Sequence, residues 1–513
     1  MYSVKQGAEP PRGDSVIGIA AAVAAGDLTS LAMVEAARAA CTATAPGLNA
    51  IVQVNPAAVA AAGEIDGRAA TDRGLLPLAG VPLSVKECFP VAGLRTTLGI
   101  GCRAHDVDAA DAALVDRLQA AGAIVIGKAN VPQAMFLHET DNPVWGRTRH
   151  PTHPDRGPGG SSGGDAAAVA AGIVPLGLGN DLAGSLRQPA HACGIATLMP
   201  RSMVIGTGGA FDTLPHLSVV KPRAGFLARS VADLARALDA CRSLVECHVE
   251  SRSGTVAAGP LRIGWWTDTG PIPPSAAITR GVHDAVAALE RAGATLVPLA
   301  GTVATEAAWL HLAILAADGG SDVRSLFRTA AGTSRPMPGV RRLLRLAGLP
   351  TPVRKPLAAV ARLAGAWIEA EALGRIGPLT PEAFARLLDR RTALAADLAR
   401  LVTGCDALVC PVSAVPALRH GTAARLVLAA APCLFANLFD LAAGAVPVTR
   451  VRPDEEETRP WSSDPVLRAA RGCDAGSRGL PVGVQVIAPP GGDESVVLSV
   501  MQMIEAGAGF GAE

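Results

Sequence analysis

The stretch GGSSGGDAAAVAAGIVPLGLGNDLAGSLRQPA, residues 159–190, decides how the fold of this chain is interpreted. It opens on a loop of glycine and serine that, by composition alone, is typical of a flexible linker. A helix-forming run over 165–171 follows directly, and an apolar strand pattern over 173–178 comes next. A linker would not lie between such core elements. We therefore interpret the segment as a loop held inside a folded α/β unit.

Strand and helix patterns alternate on both sides of this segment. Two helices are predicted over 14–46, with Asp14 as the N-cap of the first, and a strand at 48–55 precedes a helix at 57–70. The other elements are strands at 80–89, 123–127, 261–266, 294–299, 406–412, 444–451 and 480–489, helices at 109–121 and 278–292, and a mostly helical region at 303–402. Strands separated by helices predict an α/β fold with a largely parallel or mixed sheet. No linker longer than a loop is evident, so we expect a single domain over 1–513.

Composition and charge exclude several classes of protein. The 513 residues are 49% hydrophobic and carry 46 basic and 45 acidic side chains, for a formal net charge of +1. This apolar fraction rules out wholesale disorder, and the balanced charge provides no global attraction for nucleic acid or for an anionic membrane. The ten cysteines include no CxxC pair, so neither a disulfide framework nor a zinc site is indicated.

Membrane insertion and secretion are not indicated either. The best uncharged run, 426–439, is shorter than the roughly 20 apolar residues of a membrane span and contains Pro432. The N-terminal residues lack the basic start and the apolar stretch of a signal peptide. We therefore expect a cytoplasmic protein with no integral membrane segment.

Two known loop chemistries match the glycine and serine loop poorly. A phosphate-binding loop would need the pattern GxxxxGK[ST], and no lysine follows these glycines. The pattern G-x-S-x-G of a hydrolase nucleophile elbow occurs twice within 159–164, but it requires a strand directly before the serine. The preceding residues, RHPTHPDRGP (149–158), are turn formers, so the elbow lacks its structural context.

Ser185 is a candidate nucleophile, because it lies where the strand at 173–178 has ended and a short helix is expected to begin. Backbone N–H groups at such a place can stabilise the oxyanion that forms when a serine attacks a carbonyl carbon. The amides concerned are those of Leu182, Ala183, Gly184 and Ser185. Asp181 and Arg187 flank the loop and could pair across it to fix its shape. The alternative is a serine that only caps a helix.

Lys86 is a candidate base, since it is one of five lysines in the chain and lies in the apolar strand pattern GVPLSVKECF (80–89). In water a lysine has a pKa near ~10.4 and is a poor base at neutral pH. Burial disfavours the ammonium form, so a buried lysine can be neutral and accept a proton from a serine. Glu87 should point to the opposite face of the strand. The alternative is a lysine at a strand end that extends its charge to solvent.

Together these segments resemble the amidase signature family. The resemblance rests on GVPLSVK (80–86), GGSSGG (159–164) and DLAGS (181–185), which occur in the family's order. It implies an α/β fold with a large mixed β-sheet core flanked by helices on both faces. It further implies a signature core over 80–230 and a variable helical region over 303–402 that shapes the substrate pocket.

The resemblance also implies a Ser–cis-Ser–Lys triad. In it Lys86 is the base, Ser161 is the bridging serine of a cis peptide, and Ser185 is the nucleophile. The two serines stand at the separation that is usual in the family. The implied supporting residues are Ser162, Asp181 and Arg187, and the implied oxyanion or substrate-binding residues are Met135, Leu182, Ala183 and Gly184.

Some segments are closer to fatty acid amide hydrolases than to the family at large. These are KANVPQAM (128–135), DNPVWGRTRHP (141–151) and FANLFDLAAGAVPVTRV (435–451), and Met135 matches a methionine that lines the site of that group. Three residues depart from the family pattern. Ala183 stands for a glycine, Asn180 for a serine or threonine, and Asp165 for a common serine. Ala183 would be strained if its φ were positive.

The function implied is hydrolysis of carboxylic or fatty acyl amides through an acyl-enzyme, with no metal and no organic cofactor. The implied partner is a small-molecule amide, with apolar acyl or aryl amides preferred, and a homodimer is left open. One alternative is the amidase component of a tRNA-dependent amidotransferase, which shares these motifs and the GSxRQPA form at 184–190. A second alternative is a non-catalytic binding protein derived from the family, for which Ala183 and Asn180 would be the motive.

Overall fold

The computed structural model describes residues 15–215, 217–242 and 260–510. The strands are β1 Ile51–Val54, β2 Pro82–Lys86, β3 Ile124–Ala129, β4 Asp141–Asn142, β5 Gly146–Arg147, β6 Leu176–Asp181, β7 Ala196–Met199, β8 Arg223–Ala228, β9 Arg262–Trp265, β10 Thr295–Pro298, β11 Arg328–Thr329, β12 Gly332–Thr333, β13 Ala407–Pro411, β14 Ala443–Arg450 and β15 Pro481–Ile487. Within the described residues, eleven of them form one mixed sheet in the order β1-β3-β2-β6-β8-β7-β14-β15-β13-β9-β10. The pairs β4–β5 and β11–β12 are separate two-stranded units.

Helices connect and cover these strands. They are α1 Val16–Ala25, α2 Ser30–Thr44, α3 Ala58–Asp66, α4 Ala70–Gly74, α5 Ala113–Ala120, α6 Gly163–Ala170, α7 Arg187–Cys193, α8 Ser202–Ile205, α9 Val231–Arg242, α10 Ala276–Arg291, α11 Thr302–Leu315, α12 Ser321–Ser325, α13 Pro338–Ala347, α14 Thr351–Leu363, α15 Trp367–Arg375, α16 Pro381–Leu401, α17 Ala431–Leu438, α18 Pro465–Asp474 and α19 Glu494–Ala508. Short 3-10 turns lie at Gly101–Arg103, Gln133–Met135, Val427–Ala430 and Pro453–Glu455. None of the helices in the described part of the chain is long and apolar enough to cross a membrane.

The central strands are buried on both faces of the sheet. Every residue of β2, β3, β6 and β8 is buried, although successive side chains of a strand point to opposite faces. Strands of this kind require a covering layer on each side, which the helices provide. The predicted fold class, a large mixed sheet flanked by helices, is therefore confirmed.

The parallel strands β3, β2 and β6 bring the predicted site together. β2 pairs in parallel with β6, with Ser84 opposite Gly177 and Val85 opposite Leu178. The carboxyl ends of parallel strands meet at one edge of a sheet, which is where α/β proteins place their sites. Lys86 ends β2 and Asp181 ends β6, so both residues lie at this edge.

Several boundaries differ from the sequence prediction. The strand expected at 173–178 is β6, Leu176–Asp181, because Pro175 has no N–H for a sheet hydrogen bond and the strand begins after it. The helix expected at 57–70 is divided into α3 and α4. The first helix has Ser15 as its N-cap, whose hydroxyl accepts the N–H of Gly18 at 2.9 Å, and Asp14 lies outside the described residues.

Candidate active site

Lys86 is fully buried at the end of β2, and its Nζ atom contacts oxygen atoms of two residues. Nζ lies 2.7 Å from Ser161 Oγ, 2.6 Å from Asn180 Oδ1 and 3.3 Å from the Asn180 carbonyl oxygen. Burial lowers the pKa of Lys86, although nearby acidic groups, chiefly Cys88, Asp165 and Asp181, partly oppose this effect. The surroundings therefore favour the neutral amine, which is the form that can accept a proton.

Glu87 does not share this site. Its carboxylate accepts the N–H of Thr97 at 2.6 Å and that of Leu98 at 2.9 Å. It therefore lies on the other side of the strand from the Lys86 contacts, as strand alternation predicts. The protein thus provides no direct carboxylate partner on β2 that would hold Lys86 in its charged form.

The loop before α6 presents Ser161 to Lys86. The peptide bond between Gly160 and Ser161 is cis, as the family resemblance implies. A side chain at Gly160 would meet the Leu137 carbonyl oxygen at 2.6 Å, which explains the glycine there. Ser162 ties the loop to the rest of the site, because its N–H donates to the Ser185 carbonyl oxygen at 3.1 Å and its hydroxyl donates to the Asn180 carbonyl oxygen at 3.3 Å.

The loop that carries Ser185 is held by the buried ion pair of Asp181 and Arg187. Arg187 Nε lies 3.0 Å from Asp181 Oδ2, and both side chains are fully buried. The same carboxylate accepts the N–H of Gly184 at 2.7 Å and that of Leu186 at 3.1 Å. Burial alone would raise the pKa of Asp181, but the guanidinium and these amides outweigh it and hold the pKa below its ordinary value. The predicted pairing across the loop is confirmed.

The structure narrows the set of predicted oxyanion donors. The N–H of Gly184 is already engaged by Asp181, so this amide does not match its predicted role. The amides of Leu182, Ala183 and Ser185 have no hydrogen-bond partner among the described residues. Ala183 has a negative φ, so alanine is not strained at this position.

Two of the predicted residues are not joined directly to the triad by hydrogen bonds. The Ser185 hydroxyl has no hydrogen bond within the described part of the chain, and its side of the site is linked to Ser161 through the backbone of Ser162. Met135 lies in the turn that follows β3 and packs against the hydrophobic core. The transfer of a proton between Ser161 and Ser185 and the role of Met135 in a substrate pocket stay predictions.

Sequence reasoning missed several polar residues that complete the site. Asn437 Nδ2 donates to Asp181 Oδ1 at 3.0 Å, and Arg187 donates to Gln485 Oε1 at 2.9 Å. His138 Nε2 lies 3.0 Å from the Ala183 carbonyl oxygen, and burial lowers the pKa of this imidazole. Each interrupts or adjoins an apolar run, and that was the available signal. No group of three or more His, Cys, Asp or Glu residues in the described ranges is arranged to hold a metal ion.

Comparisons with known proteins agree with this geometry. A family model described as Amidase matches residues 32–497. Fatty-acid amide hydrolase 1 of Sus scrofa is 31% identical over 446 residues, which cover 83% of this chain and 75% of that protein. The amidase component of the glutamyl-tRNA(Gln) amidotransferase of Chloroflexus aurantiacus is 39% identical over 244 residues, 47% of this chain and 48% of that protein. A solved fatty acid amide hydrolase matches with a TM-score of 0.78 at 19% identity, over 96% of this chain and 84% of that one.

Proposed function

The chain belongs to the amidase family, and from that premise we propose that this amide hydrolase works through an acyl-enzyme formed on Ser185. The observation that carries the proposal is the buried 2.7 Å contact between Lys86 Nζ and Ser161 Oγ. This contact lies beside a loop whose free amides adjoin Ser185. A base, a hydroxyl relay, a nucleophile and oxyanion donors are the parts that acyl transfer needs.

The proposed steps use side chains and backbone amides of this chain. Ser185 attacks the amide carbonyl while Ser161 passes its proton to neutral Lys86. The amides of Leu182, Ala183 and Ser185 donate to the oxyanion. The relay then returns the proton to the departing amine, because an unprotonated amine anion is a poor leaving group. Water enters, and the same sequence releases the acid.

The substrate we propose is an amide with an apolar acyl or aryl group. Ala183 packs in an apolar cluster formed by residues of α11, α15 and α17: Trp309, Leu312, Ile368, Ala372 and Leu434. An apolar wall beside the oxyanion loop favours an apolar acyl chain and disfavours a charged one, which would lose its hydration there. The 31% identity with a fatty-acid amide hydrolase over most of both chains also supports this substrate class. The likeness to the amidotransferase component covers only about half of each chain.

The test is labelling with an alkyl fluorophosphonate followed by peptide mapping. The unmodified protein should carry the label on Ser185, and Ser185→Ala should lose both the label and amide turnover. Ser162→Ala is the matched control, and it should still be labelled on Ser185. Label that persists in Ser185→Ala and disappears in Ser162→Ala would contradict the proposal.

A further inference from the structure

Asn180 is the residue of β6 that contacts Lys86 directly. It is 4% exposed, and both of its oxygen atoms face Nζ, the side-chain Oδ1 at 2.6 Å and the carbonyl oxygen at 3.3 Å. An amide oxygen and a carbonyl oxygen can only accept hydrogen bonds. The two contacts must therefore be supplied by N–H groups of the lysine.

This arrangement accounts for every hydrogen-bonding group of a neutral lysine. A neutral amine has two N–H groups and one lone pair, and the two oxygen atoms of Asn180 take both N–H groups. The lone pair is left for the third neighbour, Ser161 Oγ, which lies 2.7 Å from Nζ. An ammonium group would instead donate to Ser161 and could not accept its proton.

We propose that Asn180 is a positioning residue that directs the lone pair of Lys86 onto the hydroxyl of Ser161. The inference rests on the proposed function, since it assigns the orientation of the base in that mechanism. A hydroxyl side chain in the place of Asn180 could also donate, and it would then compete with Ser161 for the lone pair. The asparagine side-chain oxygen removes this competition.

The neighbouring titratable groups leave this role to a neutral contact. Asp165, on α6, accepts the hydroxyl of Ser84 at 2.8 Å, and burial raises its pKa to about 7. Cys88 follows β2, and burial raises the pKa of its thiol to about 12, so it is uncharged at neutral pH. His138 is uncharged at neutral pH as well, because burial lowers its pKa.

The remaining acidic groups are bonded elsewhere. Asp181 follows Asn180 on β6 and is paired with Arg187. Glu87 accepts hydrogen bonds on the other side of β2. The contact within hydrogen-bonding distance from β6 is therefore uncharged, and a carboxylate placed there should strongly favour the ammonium form of Lys86.

The experiment measures the rate at which an alkyl fluorophosphonate labels Ser185 as a function of pH, which needs no knowledge of the substrate. In Asn180→Asp the rise of labelling with pH should move upward by at least about one pH unit. Labelling at neutral pH should fall at least about tenfold and recover at alkaline pH. In Asn180→Leu the rate should fall about tenfold or more without an upward shift, since no charge is added.

The control is Asn55→Asp. Asn55 is also buried, but it donates to the Val125 carbonyl oxygen and does not contact Lys86, so the pH at which labelling rises should stay in place. An unshifted profile in folded Asn180→Asp, or an unreduced rate in Asn180→Leu, would overturn the inference. If Asn180→Asp does not fold, Asn180→Leu alone decides. Absence of label on Ser185 in the unmodified protein would instead contradict the proposed function.

Discussion

Lys86 Nζ lies 2.7 Å from Ser161 Oγ in a place with no exposed surface, so the proposed chemistry depends on the protonation of one amine. Burial disfavours its charge, and its closest neighbours are two acceptors from Asn180 and a hydroxyl that can donate. A buried charge requires a paired partner, which the neutral amine does not. The residue that the mechanism needs as a base is therefore held ready to act as one.

Amide turnover should rise with pH along a limb that belongs to Lys86. Because burial lowers the pKa of this lysine, the limb should lie below the solution value near ~10.4. The sign follows from the mechanism: the ammonium form is inactive, and the active amine increases as pH rises through the pKa. The measurement is kcat/KM for an amide across pH in the unmodified protein. A limb at the solution value, or activity that falls with pH over this range, would speak against the assignment.

Single residues can be predicted where a motif or an anomaly marks them. Lys86 stands out as a rare lysine in an apolar strand, and Ser161 and Ser185 match family motifs. Asn180 is recognisable only as a departure from the family pattern, and its contact with Lys86 could not be foreseen. That contact depends on how β2 and β6 pair, and nothing local in the sequence specifies the pairing.

The loop from Asp181 to Arg187 is the element that shapes the proposed oxyanion site. It joins β6 to α7, and one carboxylate within it accepts two of its own backbone N–H groups. Gly184 has a φ of +93°, and a Cβ atom there would lie 2.8 Å from the Cβ of Cys433 on α17. The loop conformation therefore requires glycine at this position for two reasons, backbone freedom and space.

Gly184→Ala should reduce amide turnover at least about tenfold, or ~1.4 kcal/mol in the barrier, because the loop must move to relieve the clash. Gly93→Ala is the matched control. Gly93 has a φ of +79°, but the position that a methyl group would take there has no neighbouring atom within 4 Å. It should lose roughly 1–2 kcal/mol of stability and keep its activity. Thermal unfolding and kcat/KM of both variants make the comparison, and equal activity in the two would contradict this view of the loop.

Arg187→Met should destabilise the protein by about 3–5 kcal/mol, because it leaves Asp181 charged and buried without its partner. Arg400→Met provides the contrast, since Arg400 pairs with Asp397 at the surface of α16, with 72% and 41% of the two side chains exposed. Its loss should change stability by less than about 1 kcal/mol. Denaturant unfolding measures both. A similar small effect in the two variants would show that the buried pair does not hold the loop.

At the level of elements, the sequence predicts the strands and helices well and their ends less well. The strand at β2 is marked by its apolar, β-branched residues, whereas β6 begins later than predicted, after Pro175. The two-residue strands β4 and β5 are too short to produce a periodic pattern, so they were not predicted. The helical region at 303–402 was predicted correctly in kind, although it also contains the β11–β12 pair.

Across the whole molecule, the site draws on segments from distant parts of the chain. Lys86 comes from β2, Asn180 from β6, and Asn437 and Gln485 from α17 and β15. The sequence predicts the class of sheet but not its strand order, since the order depends on long crossover connections that leave no local signature. This is why the second layer of contacts around Arg187 was not predicted. The single-domain interpretation stays a prediction.

The protein should prefer amides with apolar acyl or aryl groups over small charged ones. The apolar cluster at Ala183 should exclude a charged acyl group, so kcat/KM for a long-chain or aryl acetamide should exceed that for glutamine or malonamate at least about tenfold. Ser185→Ala should abolish turnover of both classes and so identifies the site responsible. Faster hydrolysis of glutamine would favour the amidotransferase alternative.

The most direct test of the lysine-based mechanism is the ratio of amide to activated-ester turnover in Lys86→Ala. An amide needs a proton delivered to its leaving group, whereas the phenolate of an activated ester leaves without one. The mechanism predicts that amide turnover falls by roughly 10²–10⁴-fold while turnover of the matching ester falls less, so the ratio drops. Near-normal amide turnover in a folded Lys86→Ala protein, or an equal loss on both substrates, would contradict it.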